Sequence, residues 1–448
     1  MGGFTVMGTM IVLLRTISVL LIAVMAVALL APACTAEQPA LEWVKAAGSY
    51  VSSSPAFNSN MLYVGTMSGN LLGYMVTLGE PQYPWPVNYK SGISTSLLTT
   101  GDKTLYFGTS NGVLYAIDSL SSDEKWKFQA DANIDTTPVI NNGLIIFGSD
   151  SPNGTGKVYA LNSEKGRMEW SVSAGGFISN GLDAGDNVAY FGSQDGKLYA
   201  VDTYSGTVRW SVALDPANQS KVYSPALDNG VIYVGVGDNS IYAVDTSSGN
   251  VIWSFRQMGG AVVSKPLCKL GYVYAGSQDG CIYALDASKG KLVWKYCTNG
   301  PIKATPLFDA SGQAPIIYAG SGNSNPGSAD GYVYAIDAKF GLPYWQYKAS
   351  GSVDTTPIVA SRSGGGNYIY FASFDGSVYS LKLPSQLVMG TATPAPSGAP
   401  TATPTPTPKP TSTLVPLPSP TPAPTPVSPA IGLAGMAIAF LLVVRRRR

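Results

Sequence analysis

The chain of 448 residues carries 27 carboxylates, 28 lysines and arginines and four cysteines, but no histidine. Without an imidazole there is no Ser-His-Asp or Cys-His nucleophile system, no ordinary zinc site and no histidine-ligated haem. General-base work falls to Asp, Glu, Lys or Tyr. The Asp-Gly pairs at 195–196, 279–280, 330–331 and 375–376 raise the question of calcium, but their spacing does not match a calcium-binding loop. They read instead as hairpin turns. Asp118, Asp202, Asp245, Asp286 and Asp337 recur in register, which suits a residue that caps a turn rather than a catalyst. No catalytic, cofactor-binding or metal-binding residue is assigned. Cys281 and Cys297 fall opposite each other across one predicted hairpin, so a cross-strand disulfide is expected outside the cell, with buried free thiols as the alternative. Cys268 is left unpaired.

The elements that position these residues are set by eight tryptophans: Trp43, Trp85, Trp126, Trp170, Trp210, Trp253, Trp294 and Trp345. Their gaps are 42, 41, 44, 40, 43, 41 and 51 residues, the period of a circular or stacked repeat. Each full copy has an alternating apolar run, a Gly-containing turn, a second alternating run ending in Asp, a Ser-x-Gly turn and the Trp strand. Period-two alternation marks strands, and the glycines supply the turns between them. A further short run follows most tryptophans, often with a proline, as in "TTPVI" at 136–140 and "ATPLF" at 304–308. Four short strands per period predict an all-β, eight-bladed β-propeller of four-stranded antiparallel blades over residues 41–384. The chain enters on a lone Trp strand, "LEWVKA" at 41–46, and leaves without one. The first strand is therefore expected to close the ring as the outermost strand of the last blade, removing two exposed edges.

The phrase "YAVDTYSGTVRW" at 199–210 resembles the repeat of the pyrroloquinoline-quinone (PQQ) type propellers. Its pattern of a small residue, Asp, a Ser/Thr-Gly turn and Trp four residues after the Gly reads here as Ala200, Asp202, Gly206 and Trp210. It recurs at Ala243, Asp245, Gly249, Trp253; at Ala284, Asp286, Gly290, Trp294; and at Ala335, Asp337, Gly341, Trp345. Asn162 replaces the Asp in the third copy, the copy before Trp126 lacks the Gly, and the copy before Trp85 is degenerate. The resemblance implies that the tryptophans dock blades to one another. It also brings in quinoprotein dehydrogenases, which hold a quinone and calcium on the propeller axis with a stacked Trp and commonly a disulfide of adjacent cysteines. This chain has no adjacent cysteine pair, and every Trp is taken by the repeat. It resembles more closely the non-enzymatic scaffold branch, typified by the outer-membrane assembly lipoprotein.

The ends carry targeting signals. Residues 1–33 read as a signal peptide: Arg15, an apolar run from Ile17 to Leu30, then Ala31-Pro32-Ala33. Cys34 follows directly, and "ALLAPAC" resembles a lipobox, making Cys34 a lipidation candidate. Residues 385–429 are a Pro/Thr-rich stalk, unable to bury a core. Residues 430–448 hold a 15-residue apolar run before Arg445–Arg448, a C-terminal anchor or sorting signal whose arginines stay cytoplasmic. Asn153 and Asn218 begin glycosylation sequons.

Formal net charge is +1, with four positive charges in the last four residues, so no basic stripe is available for nucleic acid. The loops 150–156, 214–224 and 321–331 are expected on one face and are the candidate partner surface. The expected function is an anchored, exported, monomeric propeller without cofactor, binding a protein or glycan at the cell surface. The alternatives are a quinone- or metal-dependent oxidoreductase and a structural envelope component.

Overall fold

The computed structural model describes residues 37–385, apart from 59, 152, 313, 324–330, 363 and 364; for 179 and 180 only the backbone is described. The signal peptide, Cys34, the stalk beyond 385 and the C-terminal apolar run lie outside the described residues. Within them, 32 strands form eight four-stranded antiparallel sheets, with no helix. Seven sheets use consecutive strands, spanning 56–88, 98–129, 139–174, 178–213, 222–255, 267–297 and 307–348, here blades 1 to 7. Blade 8 takes Ile358–Ser361, Asn367–Ala372 and Ser377–Lys382 from the C-terminal side and Ala40–Ala46 as its fourth strand. Ala40 lies opposite Lys382 and Ala46 opposite Ser377. The eight-bladed ring, closed by the N-terminal Trp strand, is the architecture the repeat predicts.

Burial follows strand position. The second and third strands are covered on both faces by neighbouring blades, so "VAYFGS" (Val188–Ser193) and "IIYAGS" (Ile316–Ser321) are buried throughout. The fourth strand faces outward and alternates, as in "EKWKFQ" (Glu124–Gln129), where Trp126 is buried between exposed neighbours.

The tryptophan joins each blade to the next. Trp170 of blade 3 donates its indole N–H to the Thr203 carbonyl of blade 4 at 2.7 Å. Trp126, Trp210, Trp253 and Trp294 make the same bond to Ser163, Thr246, Ala287 and Ala338, at 2.9–3.2 Å. Each acceptor directly follows the repeated Asp or Asn. That side chain caps the turn: Asp245 Oδ1 accepts the backbone N–H groups of Ser247 and Ser248, and Asp286 does the same for Ser288 and Lys289. The turn ends on a positive-φ glycine lying flat on the preceding blade's Trp. A Cβ on Gly206 would sit 2.7 Å from the Trp170 ring, and one on Gly290 would sit 2.5 Å from Trp253. The glycine is thus required twice, by backbone conformation and by close approach. At the opposite face a second stitch recurs, in which the loop after each second strand donates a backbone N–H to the connection before the same blade. Examples are Ser110 to Gly92, Asp150 to Asn133 and Gln194 to Phe177.

Two blades depart from the pattern. Trp85 does not lie in a strand; it precedes the two-residue strand Val87–Asn88. Pro84 and Pro86 supply no N–H for a ladder, so pairing starts only after them. Trp85 packs instead over Gly73 of its own blade, and the Tyr63 hydroxyl bonds the Ser119 carbonyl of blade 2 at 2.6 Å. At the other departure, blade 8 has no turn between its third and fourth strands, since those come from opposite ends of the chain. The indole N–H of Trp345, which would reach that turn, is buried without a hydrogen-bond partner. Arg362 clamps this seam. Its guanidinium bonds Tyr370 (2.9 Å), Ser380 (2.8 Å) and Glu42 (3.1 Å), touching three strands of blade 8.

The two classes of Trp predict a difference in stability. Trp253→Phe removes a donor in use, whereas Trp345→Phe removes one without an acceptor. Chemical denaturation is expected to show Trp253→Phe costing about 1–2 kcal/mol more. Equal losses would refute the role given to the indole bond.

Candidate functional site

The short first strands and the residues leading into them surround the propeller axis. Each lead-in starts with a buried apolar residue: Val51, Ile93, Ile134, Ile178, Val222, Val262, Ile302 and Val353. The next residues line a central cavity of about 460 Å³, half of whose lining residues carry hydroxyls, such as Ser52, Ser54, Ser94, Ser96, Thr305 and Thr356. Some of these cross-link neighbouring blades: the Thr356 N–H bonds Ser54 Oγ, and the Ser54 N–H bonds Ser96 Oγ. Charge enters where the repeat places Asp or Lys instead. Lys265 pairs with Asp183 at 2.9 Å, and Lys303 with Asp354 at 3.7 Å.

Asp135 also lines this cavity, and forms no ion pair among the described residues. It lines as well a second cavity of about 590 Å³ at the mouth of the axis, between blades 2, 3 and 4, with Asp131, Asn133, Asp150 and Phe177. Asp135 is exposed on the channel wall, with blades 2, 3 and 4 around the cavity it lines. Removal from bulk solvent, then the negative charge of Asp150, pushes its carboxyl up to about 7. Burial lifts Asp150 to about 6, against a hydrogen bond from the Ile178 N–H that favours its ionised form.

Of these axial groups only Asp150 fell within a candidate read from the sequence, the loop 150–156; Asp135, Asp183, Lys265, Lys303 and Asp354 did not. A signal was present: "IDTTP", "IKATP" and "VDTTP" place a charge where "VSSSP" has a serine. The proline marks these segments as strand entries, and one charged residue beside it does not by itself signal a site.

The sequence candidates lie elsewhere. Seven of the eight tryptophans sit in outer strands and Trp85 beside one; none lines the axial cavity. Cys281 and Cys297 face each other in register on blade 6 and form a disulfide. Cys268 stays free and half-buried, its thiol pushed up to about 12 by burial and then by Asp228. Asn153 stands exposed in a turn, its Oδ1 accepting the Thr155 hydroxyl. Asn218 is tied down, its amide donating to both oxygens of Asp215, which Ser220 also bonds. Of the three candidate loops, residues 150 and 151 line the axial mouth, while 324–330 are outside the described residues.

A family model described as outer membrane protein assembly factor BamB matches residues 82–224 and 212–405, most of the chain. The chain belongs to the PQQ-type β-propeller family. No curated protein matches the sequence. Solved structures show the same fold at low identity. BamB from Moraxella catarrhalis is similar at 17% identity and TM-score 0.59, covering 77% of this chain and 100% of its own. Quinohemoprotein alcohol dehydrogenase from Comamonas testosteroni is similar at 13% and 0.65, covering 80% and 78%. The computationally designed Ika8 protein is similar at 16% and 0.64, covering 77% and 100%.

A quinone of the kind those dehydrogenases are named for finds little to hold it here. Among the described residues the axial cavity has no aromatic ring on which a planar cofactor could stack. No group of three or more Cys, Asp and Glu is placed to hold a metal ion among them.

The shifted carboxyl of Asp135 predicts a pH-dependent stability. A raised folded-state value means that ionisation opposes folding. The group's contribution is intact below the ordinary carboxylate range and is lost as pH rises through about 7. Asp135→Asn, which imitates the protonated form, is expected to raise the melting temperature at pH 8–9 and to match the native protein at pH 4. An unchanged difference across that range would show that Asp135 titrates normally.

Proposed function

We propose that this protein is an exported, envelope-associated β-propeller that serves as a non-catalytic binding and scaffold module. The observation that carries this reading is the family match, described as an outer membrane assembly factor, which spans both halves of the ring. The axial lining is compatible with it, since its hydroxyls and ion pairs supply recognition groups. Residues 1–33 supply the export signal, and the Pro/Thr-rich segment with residues 430–448 supplies a tether on the outer side of the membrane. The partner is a protein or glycan engaging the face where the second-to-third-strand loops surround the axial mouth.

The test is to purify the protein from its own envelope fraction after mild crosslinking, then to record its absorbance and metal content. The expected result is a stoichiometric partner and a featureless spectrum above the aromatic band. A quinone or metal at one equivalent would replace this reading with the oxidoreductase. Recovery without any partner would favour a purely structural envelope component.

A further inference from the structure

Exposed apolar side chains gather at one rim of the ring. The connection from third to fourth strand carries Leu78 in blade 1, Leu120 in blade 2, Tyr204 in blade 4 and Phe340 in blade 7. The turn between the first two strands of blade 6 adds Leu270. All five are exposed, Tyr204 and Phe340 by 93% and 64%. Antiparallel pairing puts both kinds of turn at the same rim: Asp286, at the end of a third strand, lies opposite Tyr272, at the start of a second. At the other rim, among the described residues, the loops expose only Tyr50 and Met67 as large apolar side chains, and Tyr50 stacks on Phe374 at 5.1 Å.

The turns themselves do not call for apolar residues. Blades 3 and 5 place Glu164, Lys165, Ser247 and Ser248 in the equivalent connection, where only their backbone N–H groups meet the capping Asn162 or Asp245 in both blades. Apolar side chains collected on one side of a surface point to something that covers them. They stand on five blades around the ring, so what covers them is broad and flat rather than a single segment in a groove. The chain also enters and leaves the ring at this rim, since Ala40 lies opposite Lys382. The segments read above as export signal and tether therefore join the ring here. A tether makes contact with a bilayer intramolecular, so a shallow apolar contact is enough to orient the ring.

We propose that this rim rests on the outer surface of a lipid bilayer, with Leu78, Leu120, Tyr204, Leu270 and Phe340 entering the interfacial layer. Tyrosine and phenylalanine suit that depth, where one end of a side chain meets headgroups and the rest meets acyl chains. The proposal rests on the tethered reading above. It turns the axial mouth and the second-to-third-strand loops away from the membrane, toward a partner.

The test uses the full chain with phosphatidylcholine vesicles, plain or brominated in the acyl chains, and single tryptophans added at exposed positions. Tyr204→Trp and Phe340→Trp are expected to lose at least half of their added emission in brominated lipid, and Met67→Trp, on the opposite rim, to lose none. Leu78→Ser with Leu120→Ser should weaken the quenching of Tyr204→Trp at least twofold. The proposal is overturned if both rims are quenched equally or neither is. It is overturned too if Tyr204→Ser with Phe340→Ser converts a dimer to a monomer, which would make this rim a contact between copies. Flotation separates the two readings. A chain that floats with vesicles but is not quenched at this rim overturns the proposal and leaves the tether standing, whereas a chain that does not float overturns both. Melting curves confirm that each variant is folded, and should Phe340→Trp fail to fold, Tyr204→Trp carries the same comparison.

Discussion

The ring depends on one contact made repeatedly: a tryptophan laid flat under the glycine of the next blade's turn, its N–H bonded to a carbonyl of that turn. A four-stranded sheet alone leaves both faces and two edges exposed. The contact fixes the angle and distance between adjacent sheets, because the ring tolerates no Cβ above it and the hydrogen bond fixes where its edge points. An aromatic ring of this size buries about 150–250 Å². Repeated around a circle, it makes each blade's stability depend on both neighbours, as in other repeat architectures.

That dependence concentrates special arrangements at the join. Blade 8 is made from both ends of the chain, so it lacks the turn that would receive Trp345. The indole N–H left over there, and Arg362 holding Tyr370, Ser380 and Glu42 together, are two results of the same break in the chain. A guanidinium suits the place because its planar fork can serve several acceptors at once.

With the outer strands committed to holding the ring, the first strands and the loops are free to vary. The axis shows this. Most lead-in positions are hydroxyls, which bond neighbouring backbone and need no charge partner. Two lysines have matching aspartates, whereas among the described residues Asp135 and Asp150 have none. The tryptophan contacts supply the frame, and the axial residues set the charge at its centre.

Much was legible in the sequence because it is local. The period of the tryptophans, the Asp-x-x-x-Gly turns and the alternation of apolar residues each depend on a few adjacent positions. Together they specify strand number, blade number and ring closure. Even the pairing of Cys281 with Cys297 follows from hairpin register. The axial site was not legible in that way. Asp135, Asp183, Lys265, Lys303 and Asp354 come from five blades and meet only when the ring closes. Which lysine neutralises which aspartate, and which carboxylates are left without a cation, depends on distances across the axis. The chain by itself determined the blades and their order, because turns and strand alternation are set by neighbouring residues. Only the closed ring decided the charge balance at its centre, because electrostatic partners are chosen by proximity in space and by exclusion from bulk water.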